Sequence, residues 1–352
     1  MCTLFPGAMG PDGFISCFDH LMPQSQLKRR IILKGGPGVG KSTFMRRLHA
    51  SLCSGQEPST LYFCSGDPDS LDAAAINHAG LLILDGTAPH SIDPKVPGAR
   101  DSIVNLGVCL NEEALRPRLH HILACMDDHA VCCRRARAHL KAAQILRQDN
   151  AAIVHAFVDP AQLARMTRAL IQAITAAGAP CSDVPDVRRV ITDAVTPKGE
   201  LCLIPENARG RVIRLTARSD MDLSCVLTSV SQALCAAGYA VWMHLDPRSP
   251  GALLHLTIPE LDTLVTTCDL LPSEQTYDFS ACISPGSLLR HECMLEQGRA
   301  AIQMHMQQAV CALSQAKQLH DELETFYVPN MDFGRWQQLF DETLSALTPA
   351  QA

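Results

Sequence analysis

The apolar run Ile31-Ile32-Leu33 leads into Gly35-Gly36-Pro37-Gly38-Val39-Gly40-Lys41-Ser42. This fits the phosphate-binding pattern G-x-x-x-x-G-K-[ST], in which a buried strand ends in a glycine-rich loop and a helix begins. Few other motifs constrain a fold as tightly. Backbone N–H groups must curl around an anion, which requires glycines that tolerate positive φ or close approach. In this reading the amides of residues 35–40 cradle a triphosphate, Lys41 reaches its β- and γ-phosphates, Ser42 ligates Mg²⁺, and Thr43 adds a hydroxyl near the α-phosphate. The expected cofactors are therefore ATP and Mg²⁺.

The surrounding pattern alternates strand and helix. Residues 30–34 read as a buried strand, 41–52 as a helix, 60–64 as a second strand and 80–84 as a third ending at Asp85. Near-continuous apolar strands between helices predict an α/β fold with a parallel sheet covered on both faces and the ligand at the carboxyl ends of the strands. Leu81-Leu82-Ile83-Leu84-Asp85 then resembles a Walker B element, with Asp85 as the second magnesium-side residue.

Two loops leave the sheet on the ligand side. The first, 64–72, carries Asp67, a candidate base or water-orienting group whose alternative is a turn or helix cap. The second, 86–94, carries His90, a candidate γ-phosphate or substrate contact whose alternative is a capping hydrogen bond. It runs on to Asn105 with little periodicity, as lids do. Arg100, Arg116 and Arg118 follow as candidates to neutralise a transferring phosphoryl group, against an ordinary surface role.

Composition narrows the class. With 352 residues, 47% of them hydrophobic, the chain can build two cores. A net charge of −6 argues against a large nucleic-acid footprint, and the clusters at 28–30 and 134–137 read as solvated helix faces. Sixteen cysteines with no C-x-x-C pair, no signal-peptide pattern and no apolar run of membrane length predict reduced thiols, a cytoplasmic location and no membrane partner. His121, Cys125, His129 and Cys132 share one helical face; a metal site there competes with plain helix packing. Long helical patterns cover 111–150 and 288–324, and 178–183 is the best linker.

Laying Ile31 on Ile213, 182 residues on, exposes an internal repeat. Residues 211–215 take the place of the P-loop strand and 217–224 that of the loop. Residues 10–14 resemble 196–200, Asp67-Pro68 resembles Asp246-Pro247, and 140–149 resembles 313–322. In the second loop Asp220 and Asp222 replace glycines and Leu223 replaces the lysine, so repulsion is expected to replace phosphate binding. Two domains follow, 1–180 and 186–352.

The chain also resembles an uncharacterised bacterial group of tandem P-loop proteins described as ATPases or nucleotide-kinase-like. The resemblance rests on Lys34 through Gly38 with Gly40-Lys41-Ser42, on Cys64-Ser65 with Asp67 and residues 69–72, and on residues 85–90 with Asp93-Pro94. Further matches are 105–107, 194–197 with Gly199, 320–324 and 330–333. It implies the P-loop NTPase fold in tandem duplication, ATP and Mg²⁺ in the first half, and a degenerate second half with a helical C-terminus. The expected activity is hydrolysis of Mg·ATP by Lys41, Asp85 and Asp67, with Ser42 and Asp85 on the metal. Alternatives are a small-molecule or nucleotide kinase and a non-catalytic switch or scaffold. Acceptor, protein partner and oligomeric state are left open.

Overall fold

A computed structural model describes the chain apart from residues 54, 56, 89–90, 181–184, 285 and 349–352. The first half runs β1 (Cys2–Leu4), β2 (Gly7–Gly10), β3 (Gly13–Ser16), β4 (Arg29–Lys34), α1 (Lys41–Leu52), β5 (Ser59–Phe63), β6 (Leu71–Ile76), β7 (Leu81–Asp85) and β8 (Asp101–Asn105). Two helices follow, α2 (Leu119–His155) and α3 (Pro160–Thr175). The second half repeats the series: β9 (Val187–Val190), β10 (Asp193–Thr196), β11 (Gly199–Cys202), β12 (Arg211–Thr216), α4 (Ser224–Ala236), β13 (Val241–Leu245), β14 (Leu253–Ile258), β15 (Thr263–Thr266) and β16 (Gln275–Asp278). It ends with α5 (Glu292–Tyr327) and α6 (Phe333–Leu347).

The first sheet has the order β1-β5-β6-β7-β4-β8 and the second β9-β13-β14-β15-β12-β16. The register repeats as well: Tyr62 pairs with Ala73, and 182 residues later His244 pairs with His255. Both ladders slip at the next residue, between Tyr62 and Phe63 and between His244 and Leu245. The Asp67-Pro68 and Asp246-Pro247 pairing does not survive this register. The amide of Cys64 bonds Ser70 O as that of Asp246 bonds Ala252 O, so Asp246 matches Cys64.

The sheets are mixed, whereas the sequence pattern predicts a parallel one. β6 runs against its neighbours because the connections on either side of it are short turns, and only antiparallel strands can be joined so tightly. Residues 101–105, at the end of the lid-like segment, form β8 beside β4. Asp101 fixes that end by accepting from Arg30 and from the amides of Lys95 and Val96. Half of the linker reading, residues 181–183, lies outside the described residues.

The closing helix of each half packs on the other half's sheet. Trp336 and Phe340 of α6 sit in one core with Ile31, Phe44 and Ile83, while Leu170 and Ile174 of α3 join Ile213, Val226 and Val265. The crossings match: Asp332 N donates to Cys109 O at 2.7 Å, and Asp159 N donates to Cys282 O at 2.8 Å. Each aspartate then caps its helix, accepting from Arg335 N and Ala161 N. Between the two halves Phe5 N donates to Ile191 O at 2.9 Å. The long helices α2 and α5, each about 55 Å, lie antiparallel, as Cys125 Sγ on Leu319 O and Asn150 Nδ2 on Leu295 O require.

Candidate functional site

β4 lies between β7 and β8, and all three are parallel. The chain crosses over β4 between β7 and β8, so the crevice at the carboxyl end of β4 is a topological switch point, where open α/β sheets take ligands. Residues 35–40 curl there before entering α1. Gly38 and Gly40 have φ of 69° and 79°, and a Cβ at Gly38 would come within 2.8 Å of Val328. These are conformations and approaches that only glycine supports. Val39 turns into the core and its carbonyl accepts from Trp336 Nε1 at 3.1 Å. Pro37 is half-buried and Thr43 exposed.

Lys41 curls back into the loop. Its Nζ donates to the carbonyls of Gly35 at 2.9 Å and Gly36 at 2.8 Å, and lies 3.6 Å from Asp85 Oδ2. Asp85 also accepts from Thr87 N at 2.8 Å, and Thr87 Oγ1 donates to Gly35 O. Ser42 Oγ accepts from Leu71 N at 2.9 Å. The geometry thus brings Lys41 and Asp85 together, with Ser42 following Lys41 in the first turn of α1.

Asp67 has a turn role. It accepts from Ser70 Oγ at 2.9 Å and faces Lys317 of α5 at 3.5 Å. His90 lies outside the described residues. Arg100 is tied to Asp101 and Gln24 at the end of β4 opposite the loop, so it does not face the cradle. Arg116 forms an exposed pair with Glu112. On α2, Cys125 is used by Leu319 O and His129 lies near Cys133, so the four helical residues do not converge on one point.

Sequence reasoning passed over Asp72. It is buried on β6, and the β6–β7 register that pairs Ala73 with Leu84 brings it toward Asp85. Burial, reinforced by repulsion from Asp85, pushes its carboxyl up to about 7 despite Cys64 and Lys41. A carboxylate in an otherwise apolar Leu-Asp-Ala-Ala-Ala-Ile strand was the available signal.

The second missed group comes from the other half of the chain. The end of α5 covers the loop: Tyr327 stands over Gly36, Val328 and Glu324 over Gly38. His320, 3.6 Å from Glu324, holds the Glu324 carboxyl below its usual range, helped by Lys317 and the Gly38 amide. A carboxylate therefore faces an amide where the motif expects a phosphate oxygen.

The corresponding loop of the second half keeps the scaffold and changes the charge. Ser224 Oγ accepts from Leu253 N at 2.9 Å, the match of Ser42 and Leu71. Asp220, at the position of Gly38, is buried and accepts from Asn150 and Arg299, with Arg218 at 3.6 Å; Arg218 and Arg299 also bind Glu292. The acidic charge is neutralised by protein groups that fill the loop rather than left to repel an anion. Among the described residues no helix is long and apolar enough to cross a membrane. Comparisons of this chain with family models, curated proteins and solved structures return no match.

Proposed function

We propose that the first half binds Mg·ATP and hydrolyses it, with the second half contributing groups over the site and holding no nucleotide of its own. The observation that carries this reading is Lys41 folded into a ring of glycine backbone, beside Asp85, at the carboxyl end of a central strand. Besides Asp85, its present partners are neutral carbonyls, which it can exchange for the stronger attraction of phosphate oxygens. The donors suit a hard divalent cation: Ser42 offers a hydroxyl oxygen in the first turn of α1 and Asp85 a carboxylate at the end of β7, the strand beside β4. Magnesium bound with the triphosphate would neutralise charge on its oxygens, while the loop amides and Lys41 orient it. Asp72, poised to exchange a proton near neutrality, suits the task of accepting one from an attacking water.

A triphosphate has to displace Glu324 and Tyr327 from the loop. That requirement favours, as a second reading, a switch in which ATP moves α5 without rapid turnover. Phosphate release by wild type and Lys41→Ala, with and without a metabolite library, tests both. Lysine-dependent phosphate from ATP alone supports hydrolysis, and acceptor-dependent consumption points to a kinase. Lysine-dependent binding without turnover leaves the switch.

A further inference from the structure

One face of the first sheet is an apolar cluster that includes Ile32, Tyr62, Ala73, Ala75, Leu82 and Leu84. Their register equivalents on the second sheet are Arg214, His244, His255, Thr257, Leu264 and Thr266. Imidazoles and hydroxyls in a core position cost desolvation unless each polar atom is partnered. Here they converge.

His255 is 2% exposed and its Nε2 lies 3.1 Å from Asp193 Oδ2. Asp193 and Cys202 face each other across the β10–β11 hairpin, and the ligand atoms of Asp193, Cys202 and His255 all lie within 4.8 Å of one another. Cys268, just past β15, brings its Sγ to 4.0 Å from Cys202 Sγ. A tetrahedral zinc ion, with bonds of about 2.0 Å to N or O and 2.3 Å to S, spaces its donors roughly 3.3 to 3.8 Å apart. The Asp193–His255 and Cys202–Cys268 separations are near that range, and Cys268 would turn inward to complete the sphere. Outer partners are in place too: Thr266 Oγ1 lies 2.8 Å from His255 Nδ1, and Thr192 Oγ1 donates to Asp193 Oδ2 at 2.9 Å. The matching positions of the first half are Gly7, Ser16, Ala73 and Gly86, which could not bind such an ion.

We propose that Asp193, Cys202 and His255, with Cys268 as the fourth donor, form a structural zinc site confined to the second half. Sulfur, imidazole and carboxylate together suit zinc better than magnesium or calcium, and four protein donors close the coordination sphere. The ion pins the β10–β11 hairpin to β14 and to the end of β15.

The full-length chain, stripped with chelator under reducing conditions, is titrated with cobalt(II) and then zinc. The expected result is about one ion per chain, a thiolate-to-cobalt charge-transfer band and the intense visible bands of a four-coordinate ion. Zinc raises the melting temperature of wild type, and Cys202→Ser abolishes both the band and the rise. Thr266→Val keeps all four donors and weakens cobalt binding by about 10- to 100-fold, a readout that survives if Cys202→Ser fails to fold. Absence of the charge-transfer band in folded, reduced wild type overturns the proposal. So does a Cys202–Cys268 disulfide in protein whose stability is indifferent to zinc.

Discussion

Lys41 Nζ lies 3.6 Å from Asp85 Oδ2 at the mouth of the glycine loop, with both side chains about 15% exposed. Lysine is the loop's own cation, and the matching position of the second half is Leu223. Lys41→Ala is expected to reduce ATP turnover by at least about 100-fold, the scale of losing one preorganised charge donor. Calorimetry should find about one nucleotide per wild-type chain and none in the variant. Residual uptake by Lys41→Ala would locate a second nucleotide site.

In the proposed function, Glu324 competes with nucleotide for the Gly38 amide. Glu324→Gln removes its negative charge at nearly constant shape and is expected to tighten ATP about tenfold, or about 1.4 kcal/mol. His320 loses its partner, but both groups are part-exposed, so stability should change little. Unchanged or weakened affinity would show that the carboxylate does not block the loop.

Asp72 gives the fold a pH dependence. Its folded carboxyl is raised from 3.8 to about 7, so the folded state holds a proton that the unfolded chain releases. That contribution is complete below about pH 4 and fades as pH rises through about 7, by on the order of 4 kcal/mol. Buried His244, whose imidazole is pushed down to about 3, contributes in the opposite sense over the same range. The Asp72 contribution is therefore read as the difference between denaturant titrations of wild type and Asp72→Asn, which should grow as pH falls from about 7 to about 4.

Phe340 lies 5.3 Å from Phe44, ring centroid to ring centroid, although the residues belong to opposite halves. Phe340→Ala is expected to destabilise the first half by about 3 to 5 kcal/mol. Hydrogen exchange should show the loss in α1 and β4, with the second sheet less affected.

The loop, its flanking strand and helix, and Asp85 were legible in the sequence because glycines, lysine and apolar run are all local signals. β6 was not, because its alanines have low strand propensity and no alternation. β8 was hidden for a similar reason: the polar Asp101 and Asn105 are held by β4, a distant partner in sequence. The spacing of Trp336 and Phe340 along α6 carries no sign of which half of the chain they cover. Glu324 and the Asp193–His255 pair are products of long-range folding, and their spacing carries no local rule.

The exchanged closing helices have one more consequence. A chain of half this length could satisfy every crossed contact by associating with a second copy of itself about a true twofold, through mutual donation of the last helix. Joining two such copies end to end yields this topology and frees each from the obligation to stay identical. A homodimer must keep both of its loops or lose both, whereas a fused pair can let one keep its glycines and lysine while the other fills with Asp220, Arg218 and Arg299.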